Sequence, residues 1–207
     1  MTAIKNIIFD YGNVIFKIDF KLASQAFKDL GLSNIDELYG HKLQEKFFDQ
    51  LEKGEINARQ FTTELKKHLP EGVSEQQIID AWNALLIGIP VGNLELLLQI
   101  KSKYRSFLLS NNNEIHYDWI IDYLNKVWKI DSMASYFEKD YYSHLMGMRK
   151  PDAEIFESVL RSHQLNPSET LFIDDSPQHL ETAKKIGLQT RLVQPGESLK
   201  EVLEPYL

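Results

Sequence analysis

Short apolar runs alternate with helically spaced apolar residues along much of this chain, and the alternation predicts an α/β fold. Residues 4–9 form an isoleucine-rich run bounded by polar positions, which is typical of a strand covered on both faces. Further short strands are predicted at residues 105–109, 136–142, 171–173 and 190–193, and helices at 91–104, 118–128, 153–163 and 177–186. This order predicts a parallel sheet with helices on both faces, a doubly wound, Rossmann-like core.

The stretch between residues 17 and 90 has a different pattern. Its apolar positions recur at spacings of three and four, so it is expected to be helical and to contain no strand. Helices are predicted to start near residues 20, 33, 43, 57 and 74. Gly31, Gly40 and Gly54 are the predicted stops, and Asn57 and Ser74 are predicted N-caps. This helical stretch interrupts the alternation that the rest of the chain follows.

The composition is that of a globular protein and excludes several functional classes. Of 207 residues, 43% are hydrophobic and 26% are charged, close to the averages for soluble domains. A net charge of −7 with dispersed lysines argues against a nucleic-acid-binding surface. Cysteine is absent, which excludes disulfides and thiolate sites. No apolar run approaches the length of a membrane span, about 18 residues, and we expect a soluble, cytoplasmic protein.

Polar residues that could take part in catalysis or metal binding follow the predicted strands. Asp10, Ser110, Lys150 and the pair Asp174 and Asp175 each come after a strand or an extended segment. Ligands of parallel sheets bind at the carboxyl ends of the strands, so these side chains are expected to converge. Adjacent carboxylates repel unless a cation holds them, and oxygen ligands beside a phosphate suit Mg²⁺. The set predicts an aspartyl nucleophile that attacks phosphorus, with a hydroxyl and an ammonium group stabilising the phosphoryl oxygens.

Four stretches that contain these residues resemble the four motifs of the haloacid dehalogenase superfamily. In chain order they are residues 8–14 (IFDYGNV), 108–111 (LLSN), 147–151 (GMRKP) and 172–176 (FIDDS). The resemblance implies a doubly wound core domain made of residues 1–16 and 91–207. It also implies a helical cap domain, residues 17–90, inserted after the first strand.

The resemblance also implies a role for each matching residue. Asp10 would be the nucleophile that forms an aspartyl-phosphate, and Ser110 and Lys150 would hold the phosphoryl group. The implied ligands of the Mg²⁺ cofactor are Asp10, the backbone carbonyl of Gly12, Asp175 and Asp174. The implied partner is a small phosphorylated metabolite, with no role for nucleic acid or membrane, and the oligomeric state is not predicted.

Substrate contacts are predicted less directly. Asn111 and Asn13 are predicted to bind substrate, although Asn13 could equally cap the backbone beside the nucleophile. Arg149 is expected to be a solvated neighbour of Lys150, and no role is predicted for the six histidines. In this family the cap closes over the core, which makes several cap residues candidates even though aromatic residues at helical spacing usually form a core: His41, Lys42, Phe47, Phe48 and Trp82.

Gly12 departs from the family pattern. Phosphatases of the superfamily usually carry a second aspartate two residues after the nucleophile, where it protonates the leaving group and later activates water. Loss of such a group typically costs about 10²–10⁴-fold in rate. The form Phe-Asp-x-Gly-Asn-Val resembles a subgroup that includes a bacterial α-glucose-1-phosphate phosphatase. Because an anomeric leaving group needs less protonation, we expect a sugar-phosphate phosphatase that prefers good leaving groups, such as sugar 1-phosphates.

Two alternatives remain open at the level of sequence. A 2-haloacid dehalogenase would use the same aspartate without a metal, but those enzymes usually read Asp-x-Tyr-Gly-Thr, whereas here Tyr11 directly follows Asp10. A non-catalytic phosphate-binding or regulatory protein would account for Gly12, but it would not require the retained Asp10, Lys150 and later acids. Activity that requires a divalent cation would argue against the dehalogenase, which needs no metal. Absence of any phosphatase activity would favour the non-catalytic protein.

Overall fold

The computed structural model describes residues 2–38 and 46–207. Within them the chain forms strands β1 (Asn6–Phe9), β2 (Lys17–Ile18), β3 (Leu86–Gly88), β4 (Arg105–Ser110), β5 (Lys139–Tyr142), β6 (Thr170–Asp174) and β7 (Gln189–Leu192). Five of these strands form one parallel sheet in the order β5-β4-β1-β6-β7. The predicted doubly wound parallel sheet is therefore confirmed.

The described residues also contain α-helices between and after the strands. They are α1 (Phe20–Asp29), α2 (Ile35–Leu38), α3 (Lys46–Glu52), α4 (Ala58–Lys66), α5 (Glu75–Asn83), α6 (Asn93–Lys101), α7 (Glu114–Tyr123), α8 (Ser143–Met146), α9 (Ala153–His163), α10 (Pro177–Lys185) and α11 (Leu199–Leu203). None of the helices in this part of the chain combines the length and the apolar character needed to cross a bilayer.

Strand β1 lies at the centre of the sheet and explains where a site can form. It pairs with β4 on one side and with β6 on the other, so that Phe9 lies opposite Leu108 and Ile173. The chain order reverses at β1, which creates the crevice at the carboxyl ends where doubly wound folds bind ligands.

Both faces of the sheet are buried, as the apolar composition of the strands predicts. Ile7 and Phe9 of β1 face one core cluster, which includes residues of α6, α7 and α11. Ile8 faces the opposite cluster, which includes residues of α9 and α10. The central strand is therefore held rigidly from two sides, and so is the residue that follows it.

Helices α1 to α5 bury their apolar faces mainly in a cluster of their own. Asn57 and Ser74 cap α4 and α5 as predicted, each with a reciprocal capping box. Phe47, Phe48 and Trp82 lie in this cluster and are at most 8% exposed, so they serve its packing. Of the sequence-based candidates in this segment, Gly40, His41, Lys42 and Leu43 lie outside the described residues.

A short antiparallel ribbon of β2 and β3 joins the two ends of this helical segment, and the sequence interpretation missed it. Strands of two and three residues are too short to show a period of two, and Leu86 continues the helical spacing of the apolar residues before it although α5 ends at Asn83. Residue Gly88 has φ 139°, and the Tyr123 hydroxyl lies where a β-carbon would extend. The prediction of no strand in this stretch is therefore wrong.

Two further differences concern helices. Helix α7 starts at Glu114 rather than near residue 118, because the Asn113 side chain accepts a hydrogen bond from the backbone N–H of His116 and caps it. Helix α11 was not predicted, although Ser198 and Glu201 form a capping box at its start.

His116 connects α7 of the core to α5 of the helical segment. Its Nε2 lies 3.1 Å from the backbone carbonyl of Trp82, and its ring stacks on the Trp82 ring at 4.8 Å between centroids. Its Nδ1 lies 3.0 Å from the side-chain nitrogen of Asn113. A neutral ring with the proton on Nε2 satisfies both contacts.

Replacing His116 by glutamine is expected to flatten the dependence of stability on pH. Burial lowers the pKa of His116 from 6.5 to about 4, so the unfolded chain binds the extra proton between those values. Stability of the native chain therefore falls as the pH drops through this window, by up to about 1.4 kcal/mol per pH unit. Urea unfolding of both proteins across the window measures the two slopes, and equal slopes would contradict the expectation.

Candidate active site

Asp10 lies at the carboxyl end of β1, in the crevice between β4 and β6. Its backbone N–H donates to the carbonyl of Ile173 at 2.8 Å, which extends the pairing with β6 by one residue. The residue is 8% exposed and therefore buried at the rim of the sheet. Ser110 ends β4 and Asp174 ends β6, so the flanking strands bring two more polar residues to the same rim.

Lys150 reaches this rim from the loop before α9, and its side chain is fully buried. Its Nζ donates to Oδ1 of Asp10 at 2.6 Å and to Oδ2 of Asp174 at 2.9 Å. Burial alone lowers the pKa of a lysine, but the two carboxylates outweigh it and raise the pKa of Lys150 above its usual value. The ammonium group is therefore a permanent positive charge between two acids.

The backbone of Lys150 is fixed by Asn111. The side-chain nitrogen of Asn111 donates to the carbonyl of Lys150 at 2.8 Å, and its oxygen accepts from the N–H of Lys150 at 2.9 Å. The neighbouring Ser110 is 3% exposed, and its hydroxyl donates to the carbonyl of Asn111 at 3.2 Å. The sequence-predicted residues Ser110 and Asn111 thus lie beside Lys150, and the Asn111 amide is engaged at both ends.

Asp174 is completely buried and accepts several hydrogen bonds. Besides Lys150, it accepts from the N–H of Ser176 at 2.7 Å, and His179 Nδ1 lies 3.0 and 3.1 Å from its two oxygens. Burial raises the pKa of Asp174, but Lys150 and His179 outweigh burial and lower it overall. Asp174 is therefore an ionised carboxylate whose oxygens are already occupied.

Three carboxylates meet at the rim. Asp10, Asp174 and Asp175 each offer an oxygen within 4.8 Å of the others. Burial raises the pKa of Asp10 to about 7, with the charges of Asp174 and Asp175 adding to the effect of burial and Lys150 opposing it. Burial, followed by the charge of Asp174, also raises the pKa of Asp175. One lysine does not balance three acids, so the all-oxygen cluster fits a divalent cation such as Mg²⁺.

The loop after Asp10 brings Asn13 and Gly12 to the same place. Asn13 donates from its side-chain nitrogen to Oδ2 of Asp175 at 3.2 Å, and its side-chain oxygen accepts from the N–H of Ile18 at 3.3 Å. Gly12, two residues after Asp10, has no side chain to act as an acid. A β-carbon there would lie 2.9 Å from Cδ1 of Ile18, the flexible end of that side chain.

Sequence reasoning missed the contacts of Arg149. It was expected to be solvated, but its side chain is 19% exposed and forms ion pairs with Glu52, at 2.9 Å, and with Asp49. Both partners belong to α3, about a hundred positions earlier, and no local pattern links them. His179 was also missed, although its position in the first turn after the acid pair is a signal that the sequence does contain.

The chain matches the family of haloacid dehalogenase-like hydrolases over residues 4–187. Among curated proteins, it is 31% identical over 205 residues to a D-ribitol-5-phosphate phosphatase of Bacteroides thetaiotaomicron, which covers 99% of this chain and 98% of that protein. It is also 25% identical over 197 residues to a sesquiterpene phosphatase of Aspergillus oryzae, covering 90% of this chain and 88% of the relative.

Solved structures similar to this chain also include enzymes of this family. A wild-type HAD family enzyme of Bacteroides thetaiotaomicron, in complex with magnesium and inorganic phosphate, has a TM-score of 0.85 and 36% identity, covering 94% of this chain and 96% of that one. The L-2-haloacid dehalogenase of Xanthobacter autotrophicus has a TM-score of 0.61 and 16% identity, covering 92% of this chain and 78% of that one, so it shares the fold alone.

Replacing Lys150 by methionine is expected to destabilise the fold by about 3 kcal/mol, because it leaves two buried carboxylates without their counter-charge. The matched control is Lys5→Met, which removes an ion pair with Glu169 whose lysine side chain is 64% exposed. That change should cost less than about 1 kcal/mol. Urea unfolding of both variants without divalent cations measures the two losses, and losses of equal size would show that the buried lysine is not essential to the fold.

Proposed function

The chain belongs to the haloacid dehalogenase-like hydrolases and is a phosphatase of that family, and on this premise we propose that it hydrolyses the monophosphate of a small sugar or sugar alcohol. The observation that carries the proposal is the contact of buried Lys150 with Asp10, beside two further carboxylates. A nucleophile, a fixed positive charge and a cation-binding cluster at one rim suit attack on an anionic phosphorus centre.

Asp10 is the proposed nucleophile. Its carboxylate attacks phosphorus, an O–P bond forms to give an aspartyl-phosphate, and the bond from phosphorus to the leaving oxygen breaks. The leaving oxygen takes its proton from water. In the second half-reaction, water attacks phosphorus, the aspartyl O–P bond breaks, and phosphate departs from the restored carboxylate.

Ser110 and Lys150 are proposed to hold the phosphoryl oxygens. The Lys150 ammonium supplies a charge-assisted hydrogen bond, and the Ser110 hydroxyl can turn from the backbone carbonyl to a phosphoryl oxygen. The side-chain amide of Asn111 holds the backbone of Lys150, since its nitrogen and its oxygen both bind that backbone. We therefore propose that Asn111 positions Lys150 and does not bind the substrate itself.

Mg²⁺ is the cofactor of relatives in this family, and the oxygen cluster of the site fits it. We propose Asp10, the backbone carbonyl of Gly12 and Asp175 as its ligands. Asp174 supports them, because its oxygens already accept hydrogen bonds from neighbouring groups. When bound, the cation supplies positive charge that offsets the charge of the phosphate.

The lack of an acid at Gly12 narrows the proposed substrates. Without a general acid, a leaving group must depart as an anion or take a proton from water, so the stability of that anion controls the rate. A sugar leaving from its anomeric carbon is a better leaving group than a primary alcohol. We therefore propose a preference for sugar 1-phosphates, while the relative named as a D-ribitol-5-phosphate phosphatase supports phosphates of sugar alcohols as the second class.

We propose that residues 17–90 act as a cap over a core of residues 1–16 and 91–207. Three contacts support a cap at this position. They join the end of α3 and the turn after it to residues 144–152, the segment that carries Lys150. They are the ion pair Arg149 to Glu52 at 2.9 Å, the ion pair Lys53 to Asp152 at 3.3 Å, and the close approach of Gly54 to the carbonyl of His144. A substrate held by Lys150 would therefore be enclosed by the proposed cap, residues 17–90.

Neither sequence-level alternative has comparable support. The dehalogenase likeness is confined to the fold at 16% identity, and a metal-free site would leave three carboxylates with Lys150 as their one paired cation among the described residues. A non-catalytic role is disfavoured because Lys150 contacts both Asp10 and Asp174, and Asp175 offers an oxygen within 4.8 Å of those two acids.

Asp10→Asn is expected to reduce phosphate release to background with every substrate, because the amide is a poor nucleophile. The panel should pair sugar 1-phosphates with primary-alcohol phosphates such as ribitol 5-phosphate, with Mg²⁺ present. EDTA should abolish wild-type activity, and added Mg²⁺ should restore it. Retained activity in Asp10→Asn would contradict the nucleophile, and sugar 1-phosphates cleaved no faster than primary-alcohol phosphates would contradict the proposed preference.

Gly12→Asp is expected to raise the rate on primary-alcohol phosphates by about 10²-fold, and to raise it less on sugar 1-phosphates. Ile18→Val in the same chain makes room for the new side chain, since the Ile18 terminus is its nearest neighbour. Gly12→Asn is the matched control, because it has similar size and cannot donate a proton as an acid. Equal rates for the Asp and Asn variants would contradict the proposed effect of the missing acid.

A further inference from the structure

Asn13 occupies an unusual position between the site and the helical segment. Its backbone has φ 53°, in the left-handed region, and its N–H donates to the carbonyl of Phe16 at 2.8 Å. Left-handed backbone favours glycine first and asparagine second. The turn would therefore accept glycine at this position, and the turn alone does not account for the amide side chain.

Both ends of the amide are used, and the chemistry of the partners fixes its orientation. The carboxylate of Asp175 can only accept, so it faces the amide nitrogen, at 3.2 Å. The backbone N–H of Ile18 can only donate, so it faces the amide oxygen, at 3.3 Å. The amide therefore already makes one hydrogen bond at each end without a substrate.

The two partners belong to different parts of the molecule. Asp175 follows β6 and is one of the carboxylates of the rim. Ile18 belongs to β2 and pairs with Leu86 of β3, in the ribbon through which the chain passes into the helical segment and back. One amide thus joins the carboxylate cluster to the base of the proposed cap.

We propose that Asn13 is a positioning residue that couples the cation site to the β2–β3 ribbon. Asn13 holds Asp175 in the orientation that binds the cation, and this role rests on the metal ligands proposed above. A bound cation restrains Asp175, and the amide passes that restraint to Ile18. Because coupling between two sites is reciprocal, a ribbon held by Asn13 also strengthens cation binding.

The first test measures binding of the metal alone by calorimetry with Mg²⁺ and by electron paramagnetic resonance with Mn²⁺. Asn13→Gly keeps the left-handed backbone and removes only the amide, and its affinity is expected to fall by about 10-fold, the lower end for groups that orient a metal ligand. Urea unfolding of the metal-free variant should match that of the wild type. A wild-type affinity in Asn13→Gly would overturn the inference.

The second test follows hydrogen exchange at the Ile18 amide. In the wild type, Mg²⁺ is expected to slow this exchange several-fold, whereas in Asn13→Gly saturating Mg²⁺ should leave it unchanged. An Ile18 amide that ignores Mg²⁺ in the wild type would overturn the coupling. Asp175→Asn is the control for the proposed function: if it binds Mg²⁺ as tightly as the wild type, the proposed metal site fails and this inference fails with it. Weakened binding in Asp175→Asn with normal binding in Asn13→Gly rejects the inference alone.

Discussion

The buried ammonium group of Lys150, held between Asp10 and Asp174, is the interaction on which the site depends. Without it the pKa values of both acids would be higher, because the charge of Lys150 opposes the effect of burial on each of them. The strand order supplies the geometry, since β1 and β6 are neighbours and end at the same level. Asp175 then adds a negative charge that Lys150 cannot balance, which prepares the rim for a cation and a phosphate.

The segment that carries Lys150 also contacts the helical segment. Arg149 and Asp152 pair with α3 and the residue after it, while Gly54 approaches the backbone at His144. His116 also joins α7 to α5, and β2 pairs with β3 where the chain enters and leaves the helical segment. The proposed phosphoryl-binding lysine and the contacts of the proposed cap therefore lie on the same short stretch of chain.

Much of this arrangement could be predicted from the sequence, because it rests on local patterns. Apolar runs predicted the strands, and the residues after them predicted the converging side chains Asp10, Ser110 and Asp174. The ribbon was missed because its strands are too short to show periodicity. The pairing of Arg149 with Glu52 depends on tertiary contact alone. His179 lies in the first turn after the acid pair, but its role is recognisable only once Asp174 is known to be buried beside it.

We propose that Asp10 carries the phosphoryl group during turnover, and trapping that group on the protein is the sharpest test of this role. The Mg²⁺-loaded protein is mixed with p-nitrophenyl phosphate, quenched in acid within one turnover and reduced with borohydride, which converts an aspartyl-phosphate to homoserine. We expect homoserine at position 10 in the peptide mass spectrum, and none when Mg²⁺ is replaced by EDTA. Phosphate release with no modification at Asp10, or with the modification at another acid, would contradict it.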